Sequence, residues 1–148
     1  MDRISPEYQD LLRKAHADDP EWGASARKYA PDVAMLAQDL KAGVLDYGCG
    51  KGALVEALRE RGIVARGYDP GMPGLLAREP EPAGLVACVD VLEHVEPDKL
   101  HSVLEHIRAL APAAYLAIAL FPSRKTLPDG RNAHLIVRPA EWWVGVLA

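Results

Sequence analysis

Nine residues, Val44-Leu45-Asp46-Tyr47-Gly48-Cys49-Gly50-Lys51-Gly52, constrain the fold more than any other stretch of the chain. They read as a buried strand, a glycine turn and the start of a helix. Gly48 and Gly50 carry no Cβ, so the backbone there can take positive φ and approach a ligand closely. The helix that follows presents unpaired N–H groups to an electronegative ligand atom. Ala53 to Arg61 forms that helix, with Gly62 as its stop, and Ile63 to Tyr68 forms a second strand. Together these pieces make one βαβ unit.

The rest of the chain repeats the alternation. Leu85 to Asp90 is the next strand, and Glu96-Pro97-Asp98 opens a helix whose Leu100, Val103, Leu104, Ile107 and Leu110 lie on one stripe. His101 and His106 fall off that stripe and read as surface residues. Ala113 to Leu120 is a further strand, continuously apolar as expected for a sheet covered on both faces. Between them, Pro70, Pro73, Pro80 and Pro82 leave room for only a short helix around Leu75-Leu76, so a normal third strand is hard to find. Upstream, Tyr8, Leu11, Leu12 and Ala15 share a helical face, and Val33, Leu36, Ala37 and Leu40 recur at helical spacing, with Pro31 suited to the first turn. The expected fold class is α/β: a Rossmann-like, doubly wound, mostly parallel sheet with helices on both faces and a third strand short or absent. A single domain spans residues 1–148, with a helical prelude or lid at 1–42, a ligand-binding core at 43–121, and an acceptor-side loop and C-terminal helix at 122–148.

Composition narrows the class. A chain of 148 residues, 49% hydrophobic and 26% charged, suits one buried core. No apolar run approaches the roughly 18 to 20 residues that cross a bilayer, and Met1-Asp2-Arg3-Ile4-Ser5-Pro6 lacks a signal-peptide core, so a cytoplasmic protein without a membrane partner is expected. A formal net charge of −4 argues against a protein that coats nucleic acid. Cys49 and Cys88 are too few for a disulfide framework and read as small residues packed near the sheet. Between Pro122 and Arg138, four cations (Arg124, Lys125, Arg131 and Arg138) face one anion, Asp129. Such a run reads as a solvated loop or, more sharply, as a lip that attracts an anionic acceptor.

In a doubly wound sheet the ligand crevice lies beyond the carboxyl ends of the strands, where strand order reverses. Asp46, Gly48, Asp69, Asp90 and Phe121 all fall at such ends. A glycine turn flanked by Asp46 and, at the next strand's tip, by Asp69 suggests S-adenosyl-L-methionine. From Val44 to Phe121 the chain resembles class I S-adenosylmethionine-dependent methyltransferases. The resemblance rests on Val44 to Gly52, on Tyr68-Asp69-Pro70, and on Cys88-Val89-Asp90-Val91-Leu92-Glu93-His94-Val95. It implies that Asp46, Tyr47, Gly48, Cys49 and Gly50 lie against the methionine part of the cofactor. It further implies that Asp69, beside Pro70, accepts hydrogen bonds from the ribose hydroxyls, and that Asp90 and Val91 border the methyl group and acceptor. The tail Pro128-Asp129-Gly130-Arg131-Asn132-Ala133-His134-Leu135, followed by Trp142-Trp143, is similar to a subset of small bacterial and phage-encoded members.

His94 is the candidate general base, since a neutral imidazole can take a proton from a hydroxyl or amine; packing over the cofactor or bonding to backbone is the plainer role. His134, beside Arg131 and Asn132, is the second candidate, or a residue that stabilises its own loop. Glu93, His94 and His134 have a spacing that matches no metal motif, so no metal is expected. Tyr8, His16 and Trp22-Gly23 lie where family members place a lid, or serve ordinary packing of the prelude helices. Trp142-Trp143 wall an acceptor pocket or, as buried aromatics more often do, serve the core.

Two rival functions remain. A nicotinamide oxidoreductase would also use a glycine turn and an acid nineteen residues beyond Gly50, but the glycines run Gly48, Gly50, Gly52 rather than G-x-G-x-x-G. A catalytically inactive methyltransferase-like binding or accessory domain would account for the missing third, sixth and seventh strands of the family pattern. The strand Ala113 to Leu120 would then be an exposed edge, so a homodimer or a covered edge is expected. The methyl acceptor, a small molecule or a macromolecule, is left open.

Overall fold

In the computed structural model, which describes residues 2–148, strand parity divides the core in two. Successive side chains of a strand point to opposite faces. In β1 (Val44–Tyr47), Val44 therefore joins one cluster while Leu45 and Tyr47 join the other; in β3 (Leu85–Val89), Leu85, Ala87 and Val89 join the first, and Val86 and Cys88 the second. The first face is covered by α2 (Ala30–Leu40) and α3 (Ala53–Glu60) through Val33, Ala37, Leu54 and Leu58. The second is covered by α4 (Leu100–Leu110) and α5 (Ala140–Leu147) through Val103, Leu104, Ile107 and Trp143.

With β2 (Ala65–Tyr68) and β4 (Ala114–Ala117), the strands form a four-stranded, all-parallel sheet in the order β2-β1-β3-β4. The order reverses between β1 and β3, which opens a crevice beyond their carboxyl ends. No strand is assigned from Pro70 to Gly84; a short 3₁₀ helix over Gly74–Ala77 occupies the place anticipated for a short helix. The fold class read from the sequence is the one observed, reduced sheet included.

One expectation needs amendment. His106 is buried, not at the surface: α4 turns it against the aromatic edge of the sheet, where Tyr47 OH lies 2.8 Å from Nδ1 and Glu79 Oε1 lies 2.5 Å from Nε2. Glu79 comes from the proline-rich connection, which local periodicity in α4 cannot foresee. His101 is exposed as anticipated. Trp143 is buried and Trp142 packs against the same cluster, so both serve the core and neither lines the crevice.

A third cluster closes the crevice. α1 (Pro6–Asp18) contributes Tyr8, which packs with Leu127 and Ala133 of the C-terminal loop and with Trp22. Ser5 caps α1 by accepting the N–H of Tyr8, and its own N–H and hydroxyl donate to Glu96 at the entry to α4. The prelude is thereby tied across the sheet's carboxyl edge.

Candidate functional site

The turn after β1 forms because the chain must reverse within a few residues while hugging β2. Gly48 sits at φ +81°, and a Cβ built there would lie 2.5 Å from Cγ2 of Val91, so no other residue fits. Gly48 and Cys49 both donate their N–H to the carbonyl of Tyr68, at 2.7 and 3.1 Å. Cys49 Sγ then packs where a Cβ at Gly67 would fall, which explains a glycine inside β2. α3 begins at Gly52 without any side-chain cap, leaving its first N–H groups to the loop and to a ligand.

Asp69 binds this loop from the neighbouring strand. Its Oδ2 accepts the N–H of Gly50 at 2.8 Å and its Oδ1 accepts that of Gly71 at 2.7 Å. The carboxylate is thus already committed to shaping two loops, a role the motif alone did not suggest. Each oxygen retains a second lone pair, so ribose hydroxyls could still be received. Burial pushes the Asp69 carboxyl up, and the two N–H bonds oppose that shift.

Asp46 is the unusual group. It is 2% exposed, its Oδ1 has no hydrogen-bond partner among the described residues, and burial together with the nearby Asp69 raises its pKa to about 7. A buried acceptor left without a donor is costly, and a cationic ligand group beside it would remove that cost. This orphaned oxygen and the glycine cradle are what an amino-acid-bearing nucleoside cofactor would fit.

The surrounding cleft encloses about 1020 Å³ of space, open solvent at its mouth included. Asp46, Tyr47, Gly48, Cys49 and Gly50 form its floor, and Asp69 and Pro70 one side. Asp90, Val91 and His94 form the other side. Every residue assigned to the cofactor from sequence therefore lines one cleft. Asp90 adopts φ +53° at the tip of β3, and its carboxylate accepts the hydroxyl of Tyr29, at 3.0 and 3.2 Å. Tyr8, His16, Trp22 and Gly23 of the prelude complete the roof. Tyr8 OH donates to the carbonyl of His94. Leu12, Ser25 and Glu96 also line the cleft; no local pattern marked them as ligand-facing, because that depends on how the prelude docks across the strand tips.

His94 lies in the cleft wall, with Nδ1 2.8 Å from the carbonyl of Ala133. A carbonyl only accepts, so Nδ1 carries the proton and Nε2 is the bare nitrogen. Burial, with His134 close by, lowers the His94 pKa to about 4. His134 stands behind it, ring centroids 4.7 Å apart, and does not line the cleft; its Nδ1 lies 2.6 Å from the carbonyl of Phe121. Glu93, 0% exposed, accepts the N–H of Ala119 through Oε1.

The cationic run is not a bare lip. Lys125 pairs with Asp19 at 2.8 Å and lies over the Trp22 ring, Arg131 pairs with Asp129 at 2.7 Å, and Arg138 lies over Trp142. These contacts leave Arg124 as the cation of the run without a recorded partner among the described residues.

Comparison with known proteins bears on the family and the fold. A family profile described as a methyltransferase domain matches residues 21–145. Among solved structures, the chain is similar to 1,6-didemethyltoxoflavin-N1-methyltransferase of Burkholderia thailandensis, crystallised with bound 1,6-didemethyltoxoflavin and S-adenosylhomocysteine. The match has a TM-score of 0.58 and 21% sequence identity, and it covers 89% of this chain and 73% of that one. At that identity the likeness is one of fold. No curated protein matches the chain significantly.

Proposed function

The chain belongs to the methyltransferase-domain family, and from that premise we propose that it moves a methyl group from S-adenosyl-L-methionine to an acceptor by in-line displacement. When bound, the cofactor supplies a methyl group made electrophilic by its sulfonium. The chain's own residues bind and align. The observation that carries the reading is the partnerless, buried Oδ1 of Asp46 beside the glycine turn. There it would accept from the ammonium of the methionine part, while Gly48 and Gly50 let the backbone come close. Asp69 holds the loop and offers its remaining lone pairs to the ribose hydroxyls. Val91 and Asp90 flank the side from which the acceptor approaches, and Tyr8 and Trp22 exclude water from above. Alignment of this kind is worth effective molarities of about 10⁵ to 10⁸ M.

His94 lines the cleft and its Nε2 is bare, but an imidazole titrating near 4 is a poor proton acceptor at neutral pH. His94 therefore positions the acceptor more than it deprotonates it, and His134 supports it from behind. The acceptor itself stays at the level of a nucleophilic oxygen, nitrogen or carbon on a small molecule or macromolecule. The solved structure is of an N1-methyltransferase of 1,6-didemethyltoxoflavin.

Calorimetry with S-adenosylhomocysteine tests the binding half. Each charge-assisted hydrogen bond to Asp69 is worth roughly 1.5 to 3 kcal/mol, so Asp69→Ala should weaken affinity at least about tenfold. Unchanged affinity in that variant would contradict the assignment. Incubating labelled methyl donor with host extract fractions then tests turnover; cofactor binding with no methylated product in any fraction would favour the accessory-domain reading.

A further inference from the structure

The fold brings His134 to the sequence neighbours Glu93 and His94. One ligand atom from each of Glu93, His94 and His134 lies within 4.8 Å of the other two. Glu93 is 0% exposed, and its Oε2 has no hydrogen-bond partner among the described residues, a cost that a cation beside it would relieve. Both imidazoles are preset: each gives its Nδ1–H to a backbone carbonyl, His94 to Ala133 at 2.8 Å and His134 to Phe121 at 2.6 Å. Each therefore keeps a bare Nε2. That is the arrangement in which a protein fixes the tautomer and orientation of a metal-binding histidine.

The loop that delivers His134 is itself cinched. Asn132 Oδ1 accepts the N–H groups of Ser123 at 3.0 Å and His134 at 2.9 Å, while its Nδ2 donates to the carbonyl of Ser123 at 2.9 Å. Ile136 N–H donates to the carbonyl of Glu93, at 3.0 Å, so the strand tip and the loop are bonded to each other. Two imidazoles and one carboxylate, with no further protein ligand in the group, leave coordination positions open.

We propose that Glu93, His94 and His134 form a divalent-cation site behind the cleft wall at His94, selective for transition metals over magnesium or calcium. Imidazole donors suit zinc, iron, cobalt and nickel, whereas magnesium and calcium take all-oxygen shells. Metal–nitrogen distances of about 2.0 to 2.1 Å put tetrahedral ligands about 3.4 Å apart, so the three groups contract around the ion by side-chain rotation. His94 joins this site to the cleft wall, and an ion held there would offer an open position to an oxygen or nitrogen of the acceptor. That role, though not the site, rests on the methyl-transfer reading above.

Cobalt(II) is the probe. Titrated into the full chain after chelator treatment, it should give a visible d–d spectrum that saturates at a single equivalent. Zinc should displace it. Removing a direct ligand costs more than the roughly 10- to 100-fold typical of a residue behind one, so Glu93→Gln and His134→Gln should each weaken zinc binding about 100-fold or more. Glu93→Gln keeps its shape and the bond to Ala119, and His134→Gln decides the matter should the first variant misfold. Absence of a d–d spectrum in the wild-type chain, or zinc affinity unchanged by His134→Gln, overturns the site. Calorimetry with S-adenosylhomocysteine on the same preparations separates the two readings: tight cofactor binding without metal sinks this inference alone, and metal binding without cofactor sinks the methyltransferase reading while leaving the site.

Discussion

Asp46 shows how burial converts an ordinary residue into a sensor of its ligand. Its carboxyl, raised from the ordinary 3.8 to about 7, stays protonated in the folded chain over a window in which the unfolded chain has released the proton. The folded state binds the extra proton, so this contribution to stability is lost as pH rises from about 4 to 7. Asp46→Asn removes it. Denaturant midpoints of the variant relative to wild type should therefore rise between pH 4 and pH 7 and level off above. Taking the difference is necessary, because His16 and His94, each lowered to about 4 from 6.5, act in the opposite sense and withdraw stability as pH falls below 6.5. Cofactor affinity should follow Asp46 as well, growing as pH rises towards 7 because the ionised carboxylate meets a cationic amine. A variant-minus-wild-type difference that does not change with pH would remove Asp46 from this role.

At the scale of elements, α1 and the loop over residues 122–135 act as one roof. The apolar face of α1 was readable from Tyr8, Leu11, Leu12 and Ala15, but what that face covers was not, since its partners Leu127 and Ala133 lie more than a hundred residues away. The polar ties across the roof are modest. The Lys125–Asp19 pair is 42% and 38% exposed, which places it among salt bridges worth about 0 to 1 kcal/mol. The roof should open far more often than the sheet. Amides of α1 are expected to exchange faster than those of β1 and β3, and S-adenosylhomocysteine at about 100 times its Kd should slow them about 100-fold if opening is required for release. Exchange in α1 that ignores the ligand would mean the helix is not a lid.

At the scale of the whole molecule, β4 forms one edge of the sheet. β4 pairs with β3 on one side only, its residues Tyr115, Leu116 and Ala117 are half-buried, and α5 packs on the face of the sheet rather than along this edge. Leu120 and Phe121 continue the apolar character just beyond, at 43% and 66% exposure. Edge strands of this kind are usually protected. Light scattering is expected to find a dimer, with slow amide exchange in β4; a monomer with freely exchanging β4 amides would contradict it. No helix among the described residues is long and apolar enough to cross a membrane. Taken as a sequence, the chain already determined the parallel sheet, its reduced third position, the glycine turn and the strand-tip residues that line the cleft, Asp46 to Gly50, Asp69, Pro70, Asp90 and Val91. Those features depend on local periodicity, on glycine where no Cβ fits, and on the rule that ligands sit beyond strand tips. Only tertiary structure decided that Asp69 spends two lone pairs on backbone, that His106 is buried against Tyr47, and that Glu93, His94 and His134 converge. Each of these requires segments distant in sequence to meet, and such meetings are set by how helices and loops dock on the sheet, which no local spacing records.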